Sequence, residues 1–282
     1  MLNKITLLLC VFPFFVAAQD DLLNEIDSVA TNETVTSAFK SLKIVNLEST
    51  KLASKGDFYF VVSHRFGYFN NGFEDFFGLD EANTRLQFVY GLTKGISIHA
   101  SRSGFQKAYE FAGKYRLVSQ KESGSPIEIV GFNSLTINTE LDKVLLPKLE
   151  FSDRLAYVNQ ILISRKFNDK LSLEMAPTYF HENYVANNSQ DNGQFALGLG
   201  GRYKLTKRWS FNMDYAAHLN RASNSVFKNP LSIGFDLETG GHVFQMHFTN
   251  SQAMHESGYL GNTVGSWNDG QIAFGFNLVR VF

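Results

Sequence analysis

Cysteine is nearly absent from this 282-residue chain; the single one is Cys10. That excludes a disulfide framework and any site built from several thiolates. Proline is scarce, at 5 residues, which leaves room for long uninterrupted strands. Neither charge dominates: 26 Lys+Arg stand against 27 Asp+Glu, for a net charge of -1. The balance argues against a nucleic-acid binder, which usually carries a basic excess. Charged residues make up only 19%, below the roughly 25% of an ordinary soluble domain. Apart from the N-terminus, no stretch approaches the roughly 20 apolar residues of a membrane-spanning helix. What is plentiful is aromatic and small: 27 Phe, 11 Tyr and 22 Gly. That mixture favours long β-structure and excludes disorder, collagen and coiled coil.

The N-terminus reads as an address. Lys4 supplies a positive start, Ile5 to Val16 an apolar stretch too short to span a bilayer, and Val16-Ala17-Ala18 the small residues before a cut. Residues 1–18 are therefore expected to be a signal peptide, with Gln19 as the mature N-terminus. Residues 19–55 follow as an expected periplasmic segment, mixed in pattern and polar around 30–37.

From residue 56 to 282 a period of two takes over. Trp209, Phe211, Met213 and Tyr215 share one face, against Ser210, Asn212, Asp214 and Ala216 on the other. Leu231, Ile233, Phe235 and Leu237 alternate with Ser232, Gly234, Asp236 and Glu238. Such segments number about twelve, each about 9 to 14 residues, the length of a tilted bilayer-spanning strand. They fall near 57–67, 83–92, 95–103, 107–119, 126–138, 153–167, 170–181, 193–206, 208–220, 229–239, 241–250 and 271–282. Two stretches fit less well: Leu155 to Arg165 alternates poorly, and His64 interrupts the series Phe58, Phe60, Val62, Phe66. A bulge would explain either. Short links alternate with long ones, the pattern of a transmembrane barrel with tight periplasmic turns and longer external loops. The predicted fold is all-β: one antiparallel transmembrane β-barrel of about twelve strands. The sheet must close, because an open edge in lipid leaves unpaired N–H and C=O groups that cost several kcal/mol each.

Several runs resemble a family of Gram-negative outer-membrane β-barrels whose function is unassigned. They include Ser63-His64-Arg65-Phe66-Gly67, Phe76-Phe77-Gly78-Leu79-Asp80, Ala196-Leu197-Gly198-Leu199-Gly200-Gly201-Arg202-Tyr203 and Asn229-Pro230-Leu231-Ser232-Ile233-Gly234-Phe235-Asp236. The most specific runs from Gly240 through His242-Val243-Phe244-Gln245-Met246-His247-Phe248-Thr249-Asn250 to Ser251. The resemblance implies a barrel in the outer membrane and brings no substrate or catalytic residues. The tail, with Phe274, Phe276, Leu278 and the terminal Phe282, is similar to the assembly signal of outer-membrane barrels; Arg280 departs from it. Expected partners are outer-membrane lipid, the barrel-assembly machinery through that last strand, and a small solute, with no nucleic acid.

Signs of chemistry are few. Gly198-Leu199-Gly200-Gly201 lacks the Lys-Ser/Thr of a phosphate loop; small residues facing a lumen, or easing sheet curvature, explain it better. His99 and Ser101, two apart on a strand, invite comparison with a membrane lipase. Ile96, Ile98 and Ala100 occupy the lipid-facing register instead, so the pair is expected to face the lumen. His255, Glu256 and Asp269 in one long link, and Glu74, Asp75, Asp80 and Glu81 in another, read as solvated loop acids sooner than a cation site. No catalytic residue, metal ligand or cofactor is expected.

The best-supported constellation is the polar face of the strands: Arg65, Arg85, His99, Glu110, Lys114, Arg116, Glu128, Glu174, Arg202, Lys204, Asp214, His218, Asp236, Glu238 and His247. Both signs are present. Two accounts stand open, an ion-pair network that fills a narrow barrel and a solute path lined with mixed charge. The functional expectation is a non-enzymatic outer-membrane barrel, a narrow channel or transport-related protein. The alternatives are a non-conducting structural or partner-binding barrel and, remotely, a lipase.

Overall fold

The computed structural model describes residues 35, 37–240 and 242–282. The expected signal peptide, with Cys10, lies outside the described residues. Twelve strands follow in chain order: β1 Phe58–Tyr68, β2 Ala82–Thr93, β3 Ile96–Ser103, β4 Tyr109–Val118, β5 Glu128–Ile137, β6 Leu155–Lys166, β7 Leu171–Glu182, β8 Gly193–Lys204, β9 Trp209–His218, β10 Leu231–Thr239, β11 His242–Thr249 and β12 Ala273–Val281. They match the expected segments to about two residues at each end. Every neighbouring pair is antiparallel, and β1 pairs β12 to close the barrel. At the seam the terminal Phe282 N–H donates to the Phe58 carbonyl at 2.9 Å.

Side chains alternate as the sequence does. On β9 Ser210, Asn212, Asp214 and Ala216 point inward and are buried, while Trp209 and Met213 lie on the outer wall. Phe88, Phe111, Phe195, Phe235 and Phe244 are likewise exposed on that wall. In water this would be a large apolar liability; against acyl chains it is the surface a barrel needs. Among the described residues no helix is long and apolar enough to cross a membrane. Links on the rim that also holds both ends of the barrel are short, except 119–127. The links 69–81, 138–154, 183–192, 219–230 and 250–272 crowd the opposite rim, which barrel architecture assigns to the exterior.

The expected placement of 19–55 is corrected for its described part. Residues 38–53 do not extend from the barrel; they fold up inside it, and Ser54 and Lys55 are exposed. Phe39, Ile44, Leu47, Glu48 and Thr50 are all buried. The segment turns back on itself: Ile44 N–H donates to Leu47 C=O at 2.8 Å and Ser49 N–H to Leu42 C=O at 2.9 Å. From the opposite rim the 250–272 link dips in and forms one short helix, α1 Glu256–Gly261, with every residue buried.

This interior explains the poor alternation of β6. Its inward face carries Val158 and Leu162, both fully buried, which join one apolar cluster with Phe39, Ile44 and Leu47 of the plug and Tyr259 and Leu260 of α1. The β6–β7 register shows no bulge, running from Gln160↔Thr178 to Ile163↔Met175 without a shift. The pattern fails there because the inside is protein rather than water. His64 does face outward: its ring stacks on Phe276 at 5.3 Å and touches Thr84 Oγ1 at 3.1 Å. The irregularity lies beyond it, between Arg65 and Tyr68.

Candidate functional site

The site is the filled lumen. Its foundation is glycine on β8. A Cβ built on Gly200 would come within 2.4 Å of Ile44 Cδ1, and one on Gly198 within 2.8 Å of Leu47 Cδ1. The glycine run that resembles a phosphate loop is thus a recess cut for the plug's tip.

Across the lumen the same tip is held by polar groups. The backbone N–H groups of Val45, Asn46 and Leu47 all donate to Asp214 Oδ2, at 3.0, 2.7 and 2.9 Å. Successive N–H groups around one carboxylate form an anion-binding nest. Asn46 donates to Ser232 Oγ at 3.0 Å and Thr249 Oγ1 at 3.1 Å, and accepts from Arg65 at 2.6 Å. Gln245 Nε2 donates to the carbonyls of Lys43 and Ile44 at 3.2 and 3.0 Å. Further down, Thr50 N–H donates to Glu174 at 2.9 Å.

A charged hub lies where plug and α1 meet. Lys43 Nζ sits 2.6 Å from Glu256 Oε1 and 3.0 Å from Glu48 Oε1. Lys114, from the β4 wall, approaches Glu48 Oε2 at 2.8 Å and donates to the carbonyls of Leu42, Ser49 and Lys51. Burial opposes the Lys43 charge, but Glu256 and Glu48 outweigh it and hold the ammonium above its usual range. Burial would likewise raise the Glu48 carboxyl; Lys114 and Lys43 reverse that and hold it far below the usual carboxylate range. For Glu256 burial prevails over Lys43 and pushes the carboxyl up to about 7.

The sequence-derived polar face all lies on the inward register. Arg65, Arg85, His99, Glu110, Lys114, Glu128, Glu174, Arg202, Asp214, His218, Asp236 and His247 are buried, and Arg116, Lys204 and Glu238 partly so. They are not brought together as one network. Arg85 pairs with Glu110 at 2.5 Å, Arg116 with Glu128 at 2.8 Å, and Arg202 with Glu238. Arg65 contacts His247, Asp236 takes a hydrogen bond from Gln245 at 3.0 Å, and His218 meets Gln194 at 2.7 Å. Asp214, Glu174 and Lys114 serve the plug. His99 contacts Ser97 and Gln87, and Ser101 contacts Arg85 and Glu110. The reading of His255 and Glu256 as solvated loop groups is corrected: both are fully buried, while Asp269 is exposed. Among the described residues no group of His, Cys, Asp and Glu is arranged to hold a metal ion. Sequence reasoning missed Lys43, Glu48 and Asn46; the apolar residues on the inner faces of β5 to β7, such as Phe132, Leu162 and Phe180, were the visible sign that something packs there.

A closed antiparallel barrel with an apolar outer wall and a filled interior defines a transmembrane β-barrel of the outer-membrane kind. The chain belongs to the family described as membrane bound beta barrel domain (DUF5777), which matches residues 39–282. No curated protein matches it. Among solved structures it is similar to the NanC porin, at 10% identity and a TM-score of 0.50, over 79% of this chain and 98% of that one. It is also similar to the KdgM porin, at 8% identity and 0.47 over 80% and 98%. A third is the COG4313 outer membrane channel from Pseudomonas putida F1, at 13% identity and 0.46 over 82% and 97%. At this identity the likeness speaks to the fold. The protein is an outer-membrane β-barrel, with lipid around its outer wall.

Proposed function

We propose that this is a non-enzymatic, transport-related barrel held closed by its own N-terminal segment, and that a small solute passes when Lys43 releases Glu256. One observation carries the reading: a single plug ammonium contacts both Glu48 of its own segment and Glu256 of the link entering from the other rim. Two segments from opposite ends of the lumen are fastened at one point. A barrel built only for stability gains little there, since apolar fill of equal volume is usually as stable as buried charge or more so. Charged contacts are instead replaceable by water once the lumen hydrates. The family match begins at Phe39, inside the plug and ahead of the first strand, which fits a plug integral to the domain.

The lumen-facing set then acts as the plug's receptor, with Asp214, Glu174 and Lys114 as its main holds. No catalytic or cofactor role is proposed: His99 and Ser101 are turned away from lipid, where a lipase would meet its substrate. Phe274, Phe276, Leu278 and Phe282 are proposed to engage the barrel-assembly machinery, and Gln19 to be the mature N-terminus. The second reading, a non-conducting structural barrel, draws on the apolar cluster that binds plug, wall and α1 together.

Planar-bilayer recording separates the two. The intact protein is expected to be closed or to open rarely. Lys43→Met and Glu256→Gln are expected to raise open probability about ten-fold or more, since each removes one side of the contact. If both variants fold and stay silent, the structural reading replaces this one.

A further inference from the structure

The long-loop rim holds a second feature that plug closure does not use. Four of the long links, the turn after β3 and the end of α1 surround a cavity of about 190 Å³. The hollows on the outer wall are shallow and apolar; this one is more enclosed, and it mixes polar side chains with the apolar surface of Leu141, Val185 and Phe227. We infer that it binds a neutral, hydroxyl-rich solute the size of a single sugar ring.

Charge comes first. The lining holds one carboxylate and one guanidinium, and each is already compensated by the protein. Glu182 accepts from Asn262 Nδ2 at 2.9 Å and Gln194 Nε2 at 2.8 Å. Arg221 donates to the carbonyls of Leu260, Lys228 and Gly261 at 3.2 to 3.4 Å. A charged solute would have to displace these partners, and a neutral one would not. The amide content points the same way. Gln106, Asn138, Asn187 and Gln190 converge on the cavity. The oxygens of Gln106 and Asn138 meet His255 Nε2 and Glu140 N–H, which leaves their amide N–H groups to donate to solute hydroxyls; Asn187 is bonded at both ends, to Asn224 and to Ser189 N–H, and shapes the wall. Gln190 is held in place, accepting from Ala222 N–H at 2.8 Å and donating to Asn220 C=O at 3.2 Å. Tyr184 and Phe227 line the same cavity and supply apolar faces for the C–H side of a ring. The volume corresponds to room on the order of six waters, enough for one ring and too little for a chain of them.

The floor is formed by Gly261 and Asn262, the far end of the helix whose first residue, Glu256, contacts Lys43. A solute seated here therefore presses on the element that fastens the plug; that consequence rests on the transport reading, whereas the binding itself does not.

Ligand-observed saturation-transfer NMR on the purified full chain in nanodiscs tests it, with glucose, glucuronate and glucosamine as probes. Glucose is expected to bind saturably in the millimolar range, and the charged sugars about ten-fold more weakly or worse. Tyr184→Ala and Phe227→Ala, both in links outside the strands, are each expected to weaken glucose about five-fold. Binding is read without conduction, so a barrel that never opens still reports on the cavity. No saturable glucose binding up to about 100 mM, charged sugars binding as well as glucose, or unchanged binding in both variants would overturn the assignment.

Discussion

The two halves of the inner wall grip the same plug by different physics. Along β5 to β7 the wall supplies the apolar grip, interleaved with polar groups such as Glu174: Val130, Phe132, Val158, Leu162, Ala176 and Phe180 form one cluster with Phe39, Ile44 and Leu47. Along β9 to β11 and on β1 it is polar, and Asp214, Ser232, Gln245, Thr249 and Arg65 hold the backbone and Asn46 of the same hairpin. Apolar burial is non-directional and supplies adhesion. Three N–H groups on one carboxylate accept a single position, so the polar half sets where the plug stops. A lumen that met only water would need neither half.

The largest expected effect lies in the polar half. Asp214→Ala strands three buried N–H donors and is expected to cost about 3–5 kcal/mol in unfolding of the barrel in detergent. It should also loosen the tip, read as faster hydrogen exchange at Val45 to Leu47. Leu162→Ala in the apolar half leaves a cavity, costing about 2–4 kcal/mol with the plug still in place. Equal loosening of the tip by both variants would erase the distinction between the halves.

Gly200→Ala comes next. The added methyl meets Ile44 Cδ1, and crowding of this kind costs about 1–3 kcal/mol. Gly113→Ala is its control, since nothing lies within 4 Å of the added carbon; thermal unfolding should hardly move. A Gly200 variant as benign as Gly113 would mean that the recess is not filled.

The smallest effect is the pH response of α1 docking. Burial raises Glu256 from 4.5 to about 7 against the pull of Lys43. The docked state then holds a proton that the free carboxyl has lost, so docking is fully supported below 4.5 and weakens as pH rises towards 7. Burial lowers His255 from 6.5 to about 4, with the opposite slope: docking is fully supported above 6.5 and weakens as pH falls towards 4. Glu256→Gln removes the first slope and keeps the second. Its unfolding midpoint should therefore gain on the wild type between pH 4.5 and 7, and a constant offset would show that Glu256 does not titrate there.

The outer half of this molecule was legible in the sequence and the inner half was not. Trp209, Met213, Phe235 and Phe244 announce a lipid-facing wall because lipid makes the same demand at every outward position. The plug, Phe39 to Thr50, has no period, because each of its side chains answers a different wall residue. Its partners lie far along the chain, as Asn46 and Thr249 do. The polar face gave the inward register of Asp214 and Glu174 and nothing about what they hold. Mixed charge suits a watery path, a wall-to-wall network and a bound segment equally. Val158 and Leu162 on β6, with Val130 and Phe132 on β5 and Phe180 on β7, broke the ambiguity, because they lie on a face that water would have kept polar.

The central claim is that residues 38–53 close the lumen from within, and cysteine accessibility tests it most directly. The sequence has one cysteine, Cys10, so it can be removed and single cysteines placed at Ile44, Asn46 or Leu47, with Val144→Cys on the exposed long-loop rim as the reference. A bulky, membrane-impermeant maleimide applied to the folded barrel should label the reference and leave the three plug positions at least about a hundred-fold slower, reactive only after denaturation. Labelling of Asn46→Cys at the rate of Val144→Cys would place the segment outside the lumen and contradict the account.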